Sequence, residues 1–259
     1  MDLGIKGKAV LVTGASQGIG KAIALAFAKE GCRVAVIARR EKQLQETLEE
    51  MGGERKGHLY YAGDLMEKGQ IEKAVKALTS KVGDFEIVVH NIGGTLGIRE
   101  PLSPSQDWYK VWQFNVGIAI DLNRLLVPAM QRARWGRVIH ISSISAESVR
   151  GASPYAAAKA YLNAYVKGVG RAFAKEGIIF SALMPGAVYA KGGDWDENSE
   201  KNRYDKEAFR KKRADFLRHH HAIGRLGTAD EIAPFAVFMA SKYVTFASAS
   251  IIPVDGGTM

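Results

Sequence analysis

The stretch Ala9-Val10-Leu11-Val12-Thr13-Gly14-Ala15-Ser16-Gln17-Gly18-Ile19-Gly20 decides how the rest of the chain is read. An apolar run, Lys8 to Thr13, reads as a buried strand, and a helical pattern from Ile19 to Glu30 follows across three glycines. Glycine at these places lets the chain turn tightly, lets the backbone approach a pyrophosphate and lets the helix pack on the sheet. The helix start adds free N–H groups and the positive end of a dipole. By itself a glycine trio is a tight turn; after the first strand of an alternating pattern it predicts a dinucleotide site on Gly14, Ser16, Gln17, Gly18, Ile19 and Gly20.

The alternation continues to the far end. Arg33 to Ala38, His58 to Ala62, Glu86 to Asn91, Arg137 to Ser142, Ile178 to Met184 and Ser250 to Val254 read as buried strands. Helical patterns fill the intervals at Lys42 to Met51, Lys68 to Lys81, Gln106 to Ala133, Pro154 to Lys175 and Ala229 to Ala240. Strand and helix in turn imply right-handed crossovers, and so an α/β fold: a doubly wound, Rossmann-type parallel sheet with helices on both faces. No repeat or linker divides residues 1–259, which read as one domain. One interruption stands out. Residues 191–221 form a polar insertion too long for a simple connection, and segments of that length are usually functional lids or disordered.

Composition excludes several classes. An apolar share of 47% and a charged share of 24% are those of a globular chain. Neither an N-terminal apolar core nor an eighteen-residue apolar run is present, so we expect no membrane span and a cytoplasmic protein. Cys32 is the only cysteine, which rules out an intramolecular disulfide or a cysteine metal cluster. The net charge of +9 favours anions, yet Lys and Arg are scattered among acids with no groove-reading module, so no nucleic acid is expected.

The end of the second strand chooses between cofactors. NAD use predicts an Asp or Glu there for the ribose 2′-hydroxyl, whereas this chain has Ala38-Arg39-Arg40. A carboxylate repels a 2′-phosphate and a guanidinium binds one, so the expectation is NADP(H). Further along, Tyr155-Ala156-Ala157-Ala158-Lys159 puts a phenol and an ammonium one helical turn apart. A nearby cation favours the phenolate and brings a tyrosine toward acid–base work on a carbonyl or an alcohol.

With both motifs in hand, the chain resembles the classical short-chain dehydrogenases/reductases, including their 3-oxoacyl-[acyl-carrier-protein] reductase-like members, nearly end to end. That resemblance implies roles for further residues. Asp64-Leu65 looks like the adenine-contacting pair, Asn115 like the helix asparagine that holds a relay water beside the lysine, and Ser143 in Ile141-Ser142-Ser143 like the catalytic serine. Asn91 and Gly93 follow the fourth strand, and Pro185-Gly186 with Val188 resembles the loop that contacts nicotinamide. Val254-Asp255-Gly256-Gly257 resembles a signature that in many members lies at a subunit interface, implying a homo-oligomer, a dimer or tetramer. The implied mechanism is hydride transfer to a carbonyl carbon with Tyr155 giving the proton, Lys159 lowering the phenol pKa and holding the ribose, Ser143 orienting the carbonyl and Asn115 linking Lys159 to solvent.

There are departures from the pattern. His90-Asn91-Ile92-Gly93 stands where the family usually has Asn-Asn-Ala-Gly, and Ala190 where it often has a threonine. Counting back from Tyr155 favours Ser142 over Ser143; adjacent strand residues face opposite ways, so only one enters the site, and we take Ser143. His219-His220-His221 reads as a solvated turn and not a metal site, because consecutive histidines cannot all converge on one ion. His140 reads as a core or second-layer side chain. The 191–221 insertion begins acidic at Asp194, Asp196, Glu197 and Glu200 and ends basic at Arg210, Lys211, Lys212, Arg213 and Arg218. It reads either as a substrate cover, with Trp195, Tyr204, Phe209 and Phe216 sheltering a ligand, or as a charged surface helix pair. If its basic end faces the site, the substrate is anionic. The leading substrates are 3-oxoacyl thioesters and polar sugar-like ketones; a non-catalytic NADP-binding regulator is the reading from another class.

Overall fold

Seven apolar runs pair side by side in a computed structural model of the protein, which describes residues 1–148, 151–191, 193, 195–199 and 202–258. They are β1 (Ala9–Thr13), β2 (Arg33–Ala38), β3 (Leu59–Ala62), β4 (Ile87–His90), β5 (Gly136–Ile141), β6 (Ile178–Pro185) and β7 (Ser250–Val254). Every pairing is parallel and the order is β3-β2-β1-β4-β5-β6-β7. The expected doubly wound sheet is therefore present. The chain runs outward from β1 to β3, then returns to lay β4 on the other flank of β1. That reversal opens a crevice at the carboxyl ends of β1 and β4, where folds of this kind bind ligands.

Side chains alternate along each strand and feed two cores. Val10, Val12, Val34 and Val36 face one side, where they meet Ile23 and Phe27 of α1 (Gly18–Lys29), Leu44 and Leu48 of α2 (Glu41–Met51) and Ile232 and Ala236 of α9 (Ala229–Met239). Ala9, Leu11, Ala35 and Ile37 face the other, against Leu78 of α3 (Gln70–Val82), Leu122 and Leu126 of α5 (Ile118–Ala133) and Val166 of α7 (Ser153–Phe173). A sheet buried on both faces explains why these strands read as unbroken apolar runs.

The helices differ from expectation in three places. The pattern from Gln106 to Ala133 is not one helix: α4 (Ser105–Trp112) passes through a π-helical turn, Gln113–Gly117, before α5 resumes. The third helix starts at Gln70, not Lys68, because Gly69 takes a left-handed φ of 78°. Within the insertion a helix not placed by periodicity, α8 (Lys206–His220), is capped at its start by Asp205, whose carboxylate accepts from the Ala208 N–H at 3.0 Å. The surface helix pair is thus, among the described residues, one helix preceded by turns. Asp194 and Glu200 lie outside the described residues. A short helix, α6 (Ser145–Ser148), joins β5 to α7.

Beneath the crevice lies a buried polar cluster. His90 and His140 are register partners on β4 and β5, and their rings stack at 4.7 Å. His90 Nε2 donates to Asn123 Oδ1 at 2.8 Å, and Asn123 Nδ2 donates to the Tyr165 hydroxyl at 3.0 Å, with His140 Nε2 a more distant acceptor at 3.5 Å. Burial pushes the His90 imidazole down to about 4 and that of His140 well below its ordinary value. Both rings are neutral at working pH. His140 is the core side chain that the sequence suggested. Asn123→Leu fills a similar volume but leaves the His90 donor and the Tyr165 hydroxyl without a partner. We expect a loss of about 2–4 kcal/mol, seen in thermal melts as a fall of several degrees. An unchanged melting temperature would mean that the amide contributes nothing.

Candidate active site

The site is built outward from the loop after β1. The Thr13 hydroxyl, fully buried, accepts from the backbone N–H groups of Asn91 at 3.0 Å and Ile92 at 3.3 Å, and so locks the ends of β1 and β4 together. Asn91 Nδ2 donates to the Gly14 carbonyl at 3.1 Å. A Cβ on Gly20 would sit 2.4 Å from that Asn91 nitrogen and 2.5 Å from the Gly14 oxygen, so only glycine lets α1 start this close to the strand ends. Gly18 reaches its φ of 57° just as freely, and its backbone lies close to the segment after β6, where an added Cβ would meet Ala190 at 3.4 Å. The first turn of α1 therefore offers unpaired N–H groups at the rim of the crevice, an anion seat.

A cleft of about 690 Å³ runs along that rim. Gly14, Ser16, Gln17, Gly18 and Ile19 form one end, with Arg39, Arg40, Asp64 and Leu65; Asn91, Gly93, Pro185, Gly186 and Val188 continue it to Tyr155 and Lys159. Of the residues expected on the cofactor only Gly20 is set back, and its part is the packing just described. Arg40 Nη2 donates to Ser16 Oγ at 3.1 Å, and Arg39 Nη1 lies 3.7 Å from Asp64 Oδ2. Two guanidiniums thus flank the end of β2 with no carboxylate occupying the ribose position after it. These features fit a nicotinamide dinucleotide: a glycine cradle a side chain would fill, donors at a helix start, and cations beside β2.

At the other end α7 carries the tyrosine and the lysine. Lys159 is buried, its Nζ donates to the Ile141 carbonyl at 2.8 Å, and it stands 5.6 Å from the centre of the Tyr155 ring. Loss of hydration pushes the ammonium down to about 7. Asn115 sits in the π-helical turn with its side chain committed to backbone. Its Nδ2 donates to the Gly94 and Val111 carbonyls, both at 2.8 Å, and its Oδ1 accepts from the Gly94 N–H at 2.9 Å. A Cβ on Gly93 would meet Asn115 Oδ1 at 2.6 Å and Lys159 Nζ at 2.9 Å, so this glycine is wedged between the two. A π turn of this kind is often found beside functional groups.

Ser142 and Ser143 part company. Ser142 is buried, with its hydroxyl 3.5 Å from the Lys159 carbonyl on α7. Ser143 is half-buried, accepts from the Ser145 N–H at 3.1 Å, and belongs to the wall of a second chamber of about 800 Å³ as well as to the cleft. Among the described residues only Ser143, Tyr155, Gly186 and Trp195 line both. The second chamber lies under the insertion, where Trp195 packs on Phe216 at 4.5 Å and Tyr204 and Phe209 complete an aromatic border. Thr95, Ser145, Ser148 and Thr258 add hydroxyls. These residues escaped sequence reasoning, because no spacing rule links segments so far apart in the chain.

The histidine triplet is not a solvated turn. His219 and His220 close α8, while His221 is buried, within hydrogen-bond distance of the Thr258 hydroxyl at 3.2 Å. Burial holds its imidazole below the ordinary value. Thr258 also donates to the Asp255 carbonyl. Among the described residues no group of histidines, cysteines and carboxylates could hold a metal, and no helix is long and apolar enough to cross a membrane.

A family model described as short chain dehydrogenase matches residues 8–200. The chain is 31% identical over 259 residues to the 3-oxoacyl-[acyl-carrier-protein] reductase FabG of Pseudomonas aeruginosa, covering 98% of each. Among solved structures, L-sorbose reductase from Gluconobacter frateurii, complexed with NADPH and L-sorbose, superposes with a TM-score of 0.91 at 30% identity, over 100% of this chain and 98% of that one. A 3-oxoacyl (acyl-carrier-protein) reductase from Agrobacterium tumefaciens with NADP bound gives 0.85 at 26% identity, over 98% and 95%.

Proposed function

This chain belongs to the short chain dehydrogenase family, and from that premise we propose that it is an NADP(H)-dependent reductase of a polar, hydroxylated ketone, or the dehydrogenase of the matching alcohol. One observation carries the reading: Tyr155 and Ser143 stand in the wall shared by the dinucleotide cleft and the hydroxyl-lined chamber, with Lys159 buried behind. Bound in the cleft, the nicotinamide supplies or receives the hydride. The chain supplies the rest. Ser143 donates to the carbonyl oxygen and orients it, and Tyr155 gives that oxygen its proton as charge builds there. The Lys159 ammonium favours the phenolate left behind. Asn115, clamped to Gly94 and Val111, fixes the turn beside Lys159 along which a water can return the proton.

The test is loss of NADPH absorbance over a panel of carbonyl compounds. Turnover of hydroxyketones is the expected result; tight NADPH binding with no turnover of any carbonyl would leave a non-catalytic regulator. A second reading, reduction of 3-oxoacyl thioesters, is favoured by the likeness to the acyl-carrier-protein reductases, and the same panel separates it by including an acyl thioester.

The cofactor reading has its own check. Arg39→Ala, and more so Arg39→Ala with Arg40→Ala, should weaken NADPH binding about tenfold to a hundredfold and NADH binding only slightly, because only NADPH carries the 2′-phosphate. Equal losses for both cofactors, measured by titration, would remove the phosphate argument.

The chain also reads as one subunit of a homo-oligomer. β7 is an edge strand, and beside it α9 exposes Phe235 and Phe238, with Phe246 fully exposed after it. A second copy laid across this face would cover both the aromatics and the open strand edge. Light scattering should give a dimer or tetramer that Phe238→Glu with Phe246→Glu dissociates; a monomeric parent chain would refute the assembly.

A further inference from the structure

The second chamber has a feature that reduction of a neutral ketone does not require. Along α8 the residues that line it, Asp205, Ala208, Phe209, Lys212 and Phe216, recur at three or four positions and form one face of the helix. Lys212 stands on that face between the two phenylalanines. Lys206 and the arginines of α8 are engaged by other groups: Arg210 donates to Glu197 at 2.8 Å, Arg218 to Asp215 at 2.8 Å, Lys206 to Asn198 at 2.8 Å, and the Arg213 guanidinium stacks on Phe209 at 5.6 Å; Lys211 is exposed and does not line the chamber. Lys212 makes no ion pair among the described residues. The one carboxylate among the described residues that line the chamber, that of Asp205, is engaged by the first turn of its own helix. Arg99, from the segment after β4, also lines this space but has a partner of its own.

We propose, resting on the reductase reading above, that the substrate of this chamber is a hydroxylated ketone or alcohol bearing a carboxylate or phosphate at the end remote from the reacting carbon, and that Lys212 receives that anion. The reacting end meets Ser143 and Tyr155 in the shared wall. The body of the molecule lies against Phe209 and Phe216, and its hydroxyls meet those of Ser145 and Ser148. Lys212 is exposed at the border of the chamber, so its attraction for an anion is long-range and weakens as salt is added. A neutral sugar gains nothing from that cation.

The test uses the full chain with NADPH and three ketoses: fructose, fructose 6-phosphate and 5-ketogluconate. At low salt at least one of the two anionic ketoses should exceed fructose in kcat/KM by about tenfold or more, chiefly through KM, and the ratio should shrink as ionic strength rises. Which of the two wins tells phosphate from carboxylate. Lys212→Met keeps the stem and removes the charge, so it should carry that ratio most of the way to one. Calorimetric titration of the NADP⁺ complex with sorbitol, sorbitol 6-phosphate and gluconate reads the same preference without turnover. If no ketone is reduced but an acidic polyol binds selectively, the reductase reading falls and the anion site stands. If fructose is reduced as well as the acids, with sorbitol bound equally, the anion site falls and the reductase reading stands. A uniform loss in Lys212→Met, with the ratio intact, also overturns it.

Discussion

Tyr155→Phe should bind NADPH as the parent chain does and reduce carbonyls at least a hundredfold, and up to about ten thousandfold, more slowly. The substitution removes one oxygen and no packing volume. Tyr155 is half-buried on α7, and its ring supports the shared wall whether or not the hydroxyl is there. With the hydroxyl gone the carbonyl oxygen has no acid to neutralise it as hydride arrives, and Ser143 can orient that oxygen but is too weak an acid to protonate it. Single-turnover mixing of the NADPH complex with substrate isolates the chemical step from binding. A variant that keeps its rate would assign the proton to another group and leave the tyrosine a wall residue.

Lys159→Met should act on two properties with opposite sign. Turnover is expected to fall about a hundredfold or more, because the phenolate left on Tyr155 loses the cation held beside it. Stability is expected to rise. The ammonium is buried, its proton affinity is lowered to about 7 against the usual 10.5, and the cost of burying it exceeds the gain from its bond to the Ile141 carbonyl. The sign with pH follows from proton counting. Between pH 7 and 10.5 the unfolded chain binds the proton that the folded chain lacks, so parent stability improves as pH rises through that window. Below pH 7 both states hold the proton and the cost is at its full size, a few kcal/mol. The stability gain of the methionine variant should therefore be larger at pH 6 than at pH 9, by denaturant melts at both. The parent's reductase rate should decline as pH climbs through about 7, while the residual rate of the variant lacks that inflection. A variant less stable than the parent at low pH would show that the buried amine contributes as a tether.

Much of this fold and site is legible in the sequence. β2 and β7 begin and end at the predicted residues; β2 does so because a strand buried on both faces writes an unbroken apolar run, while β7, half-buried at the sheet edge, keeps an apolar run bounded by serine and aspartate. The loop after β1 was equally plain, since few structures need glycine at three such positions. The π-helical turn was not. A single extra residue in a helical turn leaves the apolar period almost intact on either side, and only the position of Asn115 hinted that something happens there. The insertion reads as a charged helix pair or a cover, but the bounds and inner face of α8 are not legible for another reason: its charge hides a period carried by Phe209, Lys212 and Phe216, one of which is itself a cation. The burial of His221 depends on Thr258, far along the chain, and the pairing of His90 with His140 depends on register between β4 and β5. Contacts of that range have no signature in local spacing.

That pairing leaves a spectroscopic handle. With Asn123 offering its oxygen to one imidazole and its nitrogen toward the other, the two rings are held as opposite tautomers, the proton on Nε2 in His90 and on Nδ1 in His140. Nitrogen-15 spectra should then contain two imidazole spin systems whose shifts stay fixed across neutral pH. Loss of that contrast on warming would mark loosening of the floor under Lys159 ahead of the collapse of the sheet.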